Sequence, residues 1–219
     1  WALISIGLSL AVTPFRRVAR YGGLIDVRRM IGVGAFVYAS VHIALYIADQ
    51  SFDLAKVVSE IIHRVYLTIG FVAWLGLLAL AVTSTDAMVK RLGGRRWRRL
   101  HQAVYAISLL ALIHYFQQTK ADVSVPTFAA GLFAWLMGYR VLAWWRGADA
   151  LSSLWLLALS IVVAVLTLLA EAIAKAGYDE RIYVRGSKAV NYGRVAQVMS
   201  LVTSAGYKKV ALVTEQEKK

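Results

Sequence analysis

Cysteine is absent from the 219 residues, which excludes disulfides, thiolate-held metal and cysteine-ligated iron–sulfur clusters. Proline occurs only twice, so little interrupts long helices. Acidic residues are scarce, 12 against 25 Lys and Arg, for a net charge of +13. No nucleotide-binding glycine motif is present, and Gly93-Gly94 in an Arg-rich stretch reads as a turn. Apolar residues are what the chain has in excess. They make up 59% of it, against roughly 45–50% in a soluble domain, and the mean hydropathy is +0.61.

The surplus falls in runs close to the roughly 20 residues that carry a helix across a bilayer: 1–13, 30–47, 66–83, 100–117, 126–145 and 151–172. The first is short and opens on Trp1 inside an apolar segment, so it reads as truncated, with an upstream helix expected. No signal peptide is recognisable, and the helices themselves would direct insertion. The expected fold is an all-α polytopic membrane helical bundle of about six helices, followed by a small C-terminal strand–helix–strand segment.

A charge of +13 invites a nucleic-acid partner, but its distribution argues against one. Segment 14–29 carries Arg16, Arg17, Arg20, Arg28 and Arg29 against Asp26. Segment 84–99 carries Lys90, Arg91, Arg95, Arg96, Arg98 and Arg99 against Asp86. Arg146 lies in the 146–150 turn, with Arg140 shortly before it. The alternate connections hold only Lys56 and Arg64 in 48–65, and Lys120 in 118–125. Basic residues on every second loop are the positive-inside pattern. The basic loops are thus expected in the cytoplasm, and 48–65, 118–125 and everything after about 172 in the periplasm or exterior. This is the topology of a multi-pass protein of the bacterial inner membrane. The arginines also suit anionic lipid, and Tyr21, Tyr46, Trp97, Trp144 and Trp145 suit interfacial belts.

Composition changes near Lys175, dividing an apolar bundle, 1–174, from a water-soluble segment, 175–219. Residues 181–185 (RIYVR) alternate as a half-buried strand does. Residues 191–204 place Val195, Val198, Met199 and Val202 at helical spacing behind Asn191 as a cap, and Gly206 would end that helix. Residues 209–214 form a second strand. About 45 residues are too few to bury a stable core alone.

An ionisable side chain at membrane depth is costly and is a functional-site hypothesis by default. His42 lies 13 residues from Arg29, roughly 20 Å into its run, and His114 lies 15 residues from Arg99, roughly 22 Å in. Both therefore reach the same level, in the outer half of the bilayer. Imidazole is the commonest metal ligand, and with thiolates excluded the pair points to bis-histidine ligation of one haem b between two helices. His101 sits at the inner face, about 20 Å from His114 along the axis and roughly 140° around a continuous helix. It is a candidate for a second haem, although no second histidine shares its level. The plainer reading of any of these is a hydrogen bond to a neighbouring carbonyl. His63 fits that reading best. Arg64, at the outer mouth, is a candidate partner for a haem propionate.

The stretches LAVTPFRR, RRMIGVGAFVYASVHIALY, YLTIG and ALAVTSTDAMVKRLGGRRWRRLHQAVYAISLLALIHY closely resemble the MsrQ (YedZ) family. These are haem-binding membrane subunits of the periplasmic methionine sulfoxide reductase system, within the ferric-reductase-like transmembrane superfamily. The resemblance covers about residues 1–174. It implies that the residues at His42, His101 and His114 are haem-associated, with haem b as cofactor and FMN as a further one. It implies electrons drawn from the quinone pool or a flavin reductase and delivered to a periplasmic molybdopterin enzyme (MsrP-like) that reduces methionine sulfoxide. The chain would then be an electron-transfer subunit, not the catalytic one. The family usually has a further helix before Trp1, and often Arg-Pro-Tyr where this chain has Arg64-Val65-Tyr66.

The tail, DERIYVRGSKAVNYGRVAQVMSLVTSAGYKKVALVTE, resembles the end of the ExbD/TolR periplasmic domain. That family's coupling aspartate lies in its transmembrane helix, whereas run 151–172 has no Asp. A fusion joined between about 172 and 178 is the expectation. The competing function is a membrane-anchored motor accessory or structural protein in which the tail does the work. A transporter is a weak third reading, since neither a broken helix nor a midplane carboxylate is evident.

Overall fold

The computed structural model describes residues 1–19, 24–119, 123–147, 152–178, 182–186, 191–204, 207 and 209–214. In chain order the helices are α1 (Ala2–Ala19), α2 (Leu24–Asp49), α3 (Leu54–His63), α4 (Val65–Val82), α5 (Asp86–Leu92), α6 (Gly94–His101), α7 (Val104–Gln118), α8 (Ser124–Arg146) and α9 (Ser153–Tyr178). Strand β1 (Ile182–Gly186), helix α10 (Tyr192–Ser204) and strand β2 (Val210–Thr214) follow. Arg20, Tyr21, Lys120 and Gly206, with the side chains of Arg17 and Asp26, lie outside the described residues.

Among the described residues, four helices carry apolar segments long enough to cross a membrane: Val27–Asp49, Val65–Val82, Ser124–Arg146 and Ser153–Lys175. The apolar part of α1, Ala2–Arg16, and the 15 residues of α7 are shorter and complete the bundle. The chain is therefore a multi-pass helical membrane protein. Its core is made by Ile6 and Leu10 of α1, Ala35 of α2, Ala73, Leu77 and Leu80 of α4, Ile107 of α7 and Leu136 of α8. Large apolar side chains elsewhere face outward, among them Leu157, Ile161, Val165 and Leu168 of α9, as expected where lipid replaces water.

Helix α9 is peripheral and packs on α8 through small residues, the usual device where burying apolar surface gives no advantage over lipid. Gly131 leaves no room for a Cβ against Thr167, and Trp135 Nε1 donates to Ser160 Oγ at 3.0 Å. α9 continues unbroken to Tyr178, with Glu171 and Lys175 paired at 2.6 Å. The expected junction at 172–178 thus lies inside a continuous helix.

Arg140 has a different part from the topological charge expected of it. Pro14 stands inside α1 and has no N–H to give to the carbonyl four residues back. That carbonyl belongs to Leu10, whose side chain is buried, and Arg140 Nη2 reaches across from α8 to donate to it at 2.7 Å. Nη1 donates to Leu136 O at 2.7 Å and Nε to the Tyr105 hydroxyl at 3.3 Å. One guanidinium thereby joins α1, α7 and α8.

Three expectations about these segments change. Segment 84–99 contains α5 and most of α6, and Gly93, at φ +76°, makes the turn between them. The expected run 100–117 is also broken: His101 ends α6, and α7 starts only at Val104. The roughly 140° reckoned between His101 and His114 on one helix therefore does not apply. Connection 48–65 contains α3, begun by Asp53, whose carboxylate accepts from Lys56 N at 2.9 Å.

In the tail, β1 and β2 pair in parallel with Ile182 opposite Val210 and Val184 opposite Leu212. Parallel neighbours need a crossover, which α10 supplies. Asn191 Oδ1 accepts from Gly193 N at 3.0 Å at the start of that helix.

Candidate functional site

His42 of α2 and His114 of α7 meet as their matching depths required. Their ring centroids are 6.5 Å apart, with planes at 72°. His114 Nδ1 lies 2.8 Å from the backbone carbonyl of Tyr66. A carbonyl can only accept, so Nδ1 carries the proton and Nε2 keeps the lone pair of the neutral ring. The carbonyl bond offered as the plainer reading is therefore formed, and it leaves Nε2 without a part in it. Metal-bound histidines commonly hold their second nitrogen in this way.

The ring is seated by a residue that the sequence reading passed over. A Cβ at Gly70 would lie 2.8 Å from both Cε1 and Nδ1 of His114. Tyr66 and Gly70 are one turn apart on α4 and share a face. Together they form a shallow seat, one giving the acceptor and the other the space. The YLTIG stretch contained the signal: a glycine in an apolar helix that has a packing reason to be there.

His42 is exposed at membrane depth, a costly position unless another group covers it. Two axial imidazoles on one iron, with bonds of about 2 Å, have centroids roughly 6 Å apart once the half-width of each ring is added. The observed 6.5 Å fits such a group held between them. Among the described residues no three His, Asp or Glu side chains converge. Haem iron requires none beyond its axial ligands, because the porphyrin supplies the rest.

His101 is not brought to this pair. Thr83 Oγ1 gives its proton to Ala79 O at 2.7 Å, so it accepts from His101 Nε2 at 3.2 Å. The His101 ring stacks on Trp97 with centroids 4.0 Å apart, and Trp97 Nε1 donates to Thr83 O at 2.8 Å. The cluster fastens α6 to the end of α4. Burial, reinforced by Arg28 and Arg29, holds the His101 imidazole below its ordinary pKa. His63 Nδ1 bonds Ser59 O of its own helix at 2.7 Å.

Arg64 sits at the outer mouth as expected, but two of its nitrogens are engaged. Nη2 pairs with Glu60 at 3.0 Å, and Nη1 donates to the Tyr66 hydroxyl at 3.0 Å. Glu60 also accepts from the Tyr46 hydroxyl. Only packing revealed this network, because its members lie on three elements.

Comparison with known proteins identifies the family of the bundle. The profile of the ferric reductase like transmembrane component family matches residues 1–112, and that of the biopolymer transport protein ExbD/TolR matches residues 161–217. The protein-methionine-sulfoxide reductase heme-binding subunit MsrQ of Ralstonia nicotianae is 41% identical over 151 residues, 68% of this chain and 70% of that protein. MsrQ of Xanthomonas euvesicatoria and of Xanthomonas campestris are each 44% identical over 151 residues, 68% of this chain and 67% of each relative. No solved structure matches. The chain belongs to the ferric reductase-like transmembrane family, in the group of the MsrQ subunits.

Proposed function

We propose that the chain is a haem b electron-transfer subunit of a methionine sulfoxide reductase system in the bacterial inner membrane. His42 and His114 are the residues that would hold the haem. The observation that carries this reading is the approach of the two rings to 6.5 Å, with His114 Nδ1 committed to Tyr66 and Nε2 left free. The heme-binding function named for the relatives supports it.

When bound, haem iron accepts and returns one electron at a time. The protein's part is to hold the two imidazoles, fix the His114 tautomer and surround the site with apolar helices. It does not itself reduce methionine sulfoxide. The electron donor is quinol or a cytosolic flavin reductase, with FMN a further cofactor, and the acceptor is a periplasmic molybdopterin enzyme (MsrP-like). Anionic lipid faces the basic inner loops. Arg64 is a secondary candidate for a propionate, since Glu60 and Tyr66 already hold two of its nitrogens. The tail, 175–219, is a separate periplasmic unit in this reading.

The test is a reduced-minus-oxidised spectrum with haem quantified per chain. A b-type band that is lost in His42→Ala and His114→Ala but kept in His63→Ala is expected. The His101→Ala variant should keep the outer haem. Loss of haem in His63→Ala together with its retention in His42→Ala would overturn the assignment. The match of residues 161–217 favours one other reading, a motor accessory working through its tail. A colourless protein would support that, although α9 has no Asp to serve as a coupling carboxylate.

A further inference from the structure

The outer-mouth network reaches both helices of the histidine pair. Tyr46 follows His42 by four residues on α2 and so shares its face. Its hydroxyl donates to one oxygen of Glu60. The other oxygen pairs with Arg64 Nη2 at 3.0 Å, and Arg64 Nη1 donates to the hydroxyl of Tyr66 at 3.0 Å. Tyr66 is the residue whose carbonyl holds His114 Nδ1. A single carboxylate thus stands between the two histidines, linked through Tyr46 on the side of His42 and through Arg64 and Tyr66 on the side of His114. We propose that Glu60 is a positioning residue for the histidine pair, fixing α2 and the α3–α4 corner so that the two imidazoles keep their separation and relative tilt. The proposal rests on the haem reading above.

The local structure supports this role. Glu60 retains only 19% side-chain exposure, against 52% for Arg64. It is therefore not the solvated partner of an ordinary surface pair, whose contribution is close to nothing. Arg64 joins α3 to α4. Its N–H donates to Glu60 O at 2.9 Å, and its own carbonyl accepts from Leu67 and Thr68 N–H at 2.9 and 3.1 Å. Thr68 Oγ1 donates to Ile61 O at 2.5 Å across the same corner, and Val57 anchors α3 from below as its buried residue. These bonds tie the corner together, and Glu60 is its one link to α2 among the bonds described. A pre-set constellation needs supporting residues of this kind.

The experiment uses the full-length haem-loaded chain and compares Glu60→Ala, Tyr46→Phe and the double variant with the parent. Alanine keeps α3 helical, which circular dichroism checks. The readout is the low-spin ferric electron paramagnetic resonance signal, whose largest g-value follows the relative tilt of the imidazoles that would hold the haem. Haem retention during washing is measured alongside. Glu60→Ala should shift the g-value and release haem several-fold faster. Tyr46→Phe should give a smaller shift in the same direction, and adding it to Glu60→Ala should change nothing more, because one hub carries both effects. Glu60→Gln, which still accepts from Tyr46, should fall between the two and serves if Glu60→Ala is poorly inserted. A normal haem-loaded parent with an unchanged signal and unchanged retention in Glu60→Ala would overturn this inference alone. A parent without haem would overturn the haem reading and this inference with it.

Discussion

Replacing Gly70 by alanine sets the geometry of the His114 seat against overall stability. The added Cβ would stand 2.8 Å from Cε1 and Nδ1 of the imidazole and 3.2 Å from Cγ. Ordinary contact begins near 3.4 Å. The ring must retreat by about 0.6 Å, beyond the roughly 0.5 Å within which a binding constellation has to be held. Overpacking costs about 1–3 kcal/mol, and loss of the Nδ1–carbonyl bond about 0.5–1.5 kcal/mol. Alanine returns about 1 kcal/mol of helix propensity. The net cost to the fold is about 0.5–3.5 kcal/mol, below the roughly 5–15 kcal/mol of a folded domain, so the chain should still insert and fold while its haem content falls several-fold. Gly34→Ala is the control: it has the same propensity gain and nothing within 4 Å of the new Cβ, so its haem should be unaffected. Haem per chain and the Soret spectrum provide the assay. If Gly70→Ala held a full complement with an unaltered spectrum, the seat would not orient His114 and the free Nε2 argument would fail.

Arg140→Met leaves the Leu10 carbonyl without its donor and should destabilise the bundle by about 1–3 kcal/mol. Pro14→Ala restores the missing N–H and should recover most of that loss in the double variant. Unfolding in detergent measures both, and an equal cost on the two backgrounds would disprove the link. Truncation after Tyr178 keeps all of α9 and should leave haem content unchanged, since every candidate ligand lies before residue 115. Haem loss in that variant would make the tail part of the bundle.

The membrane class and the positions of the long apolar helices were legible in the chain because they depend on local quantities, run length and periodicity. The depths of His42 and His114 were legible for the same reason, since helical rise turns sequence separation into height. The strand–helix–strand tail could be read from alternation and a capping Asn191, whereas Pro14 was assigned to a loop and proved to lie inside α1, where it leaves the Leu10 carbonyl to spare. The donor was not foreseeable, because Arg140 is 130 residues away in sequence and only packing of α8 against α1 brings it there. The break between α6 and α7 was equally hidden. No proline or glycine marks residues 102 and 103, and the helix stops where His101 and Trp97 lock onto Thr83. Height along a helix is a property of one chain segment. Which faces meet at that height, and which glycine, carbonyl or carboxylate awaits the imidazole, depends on how several helices rotate and cross, and so was decided by the tertiary structure alone.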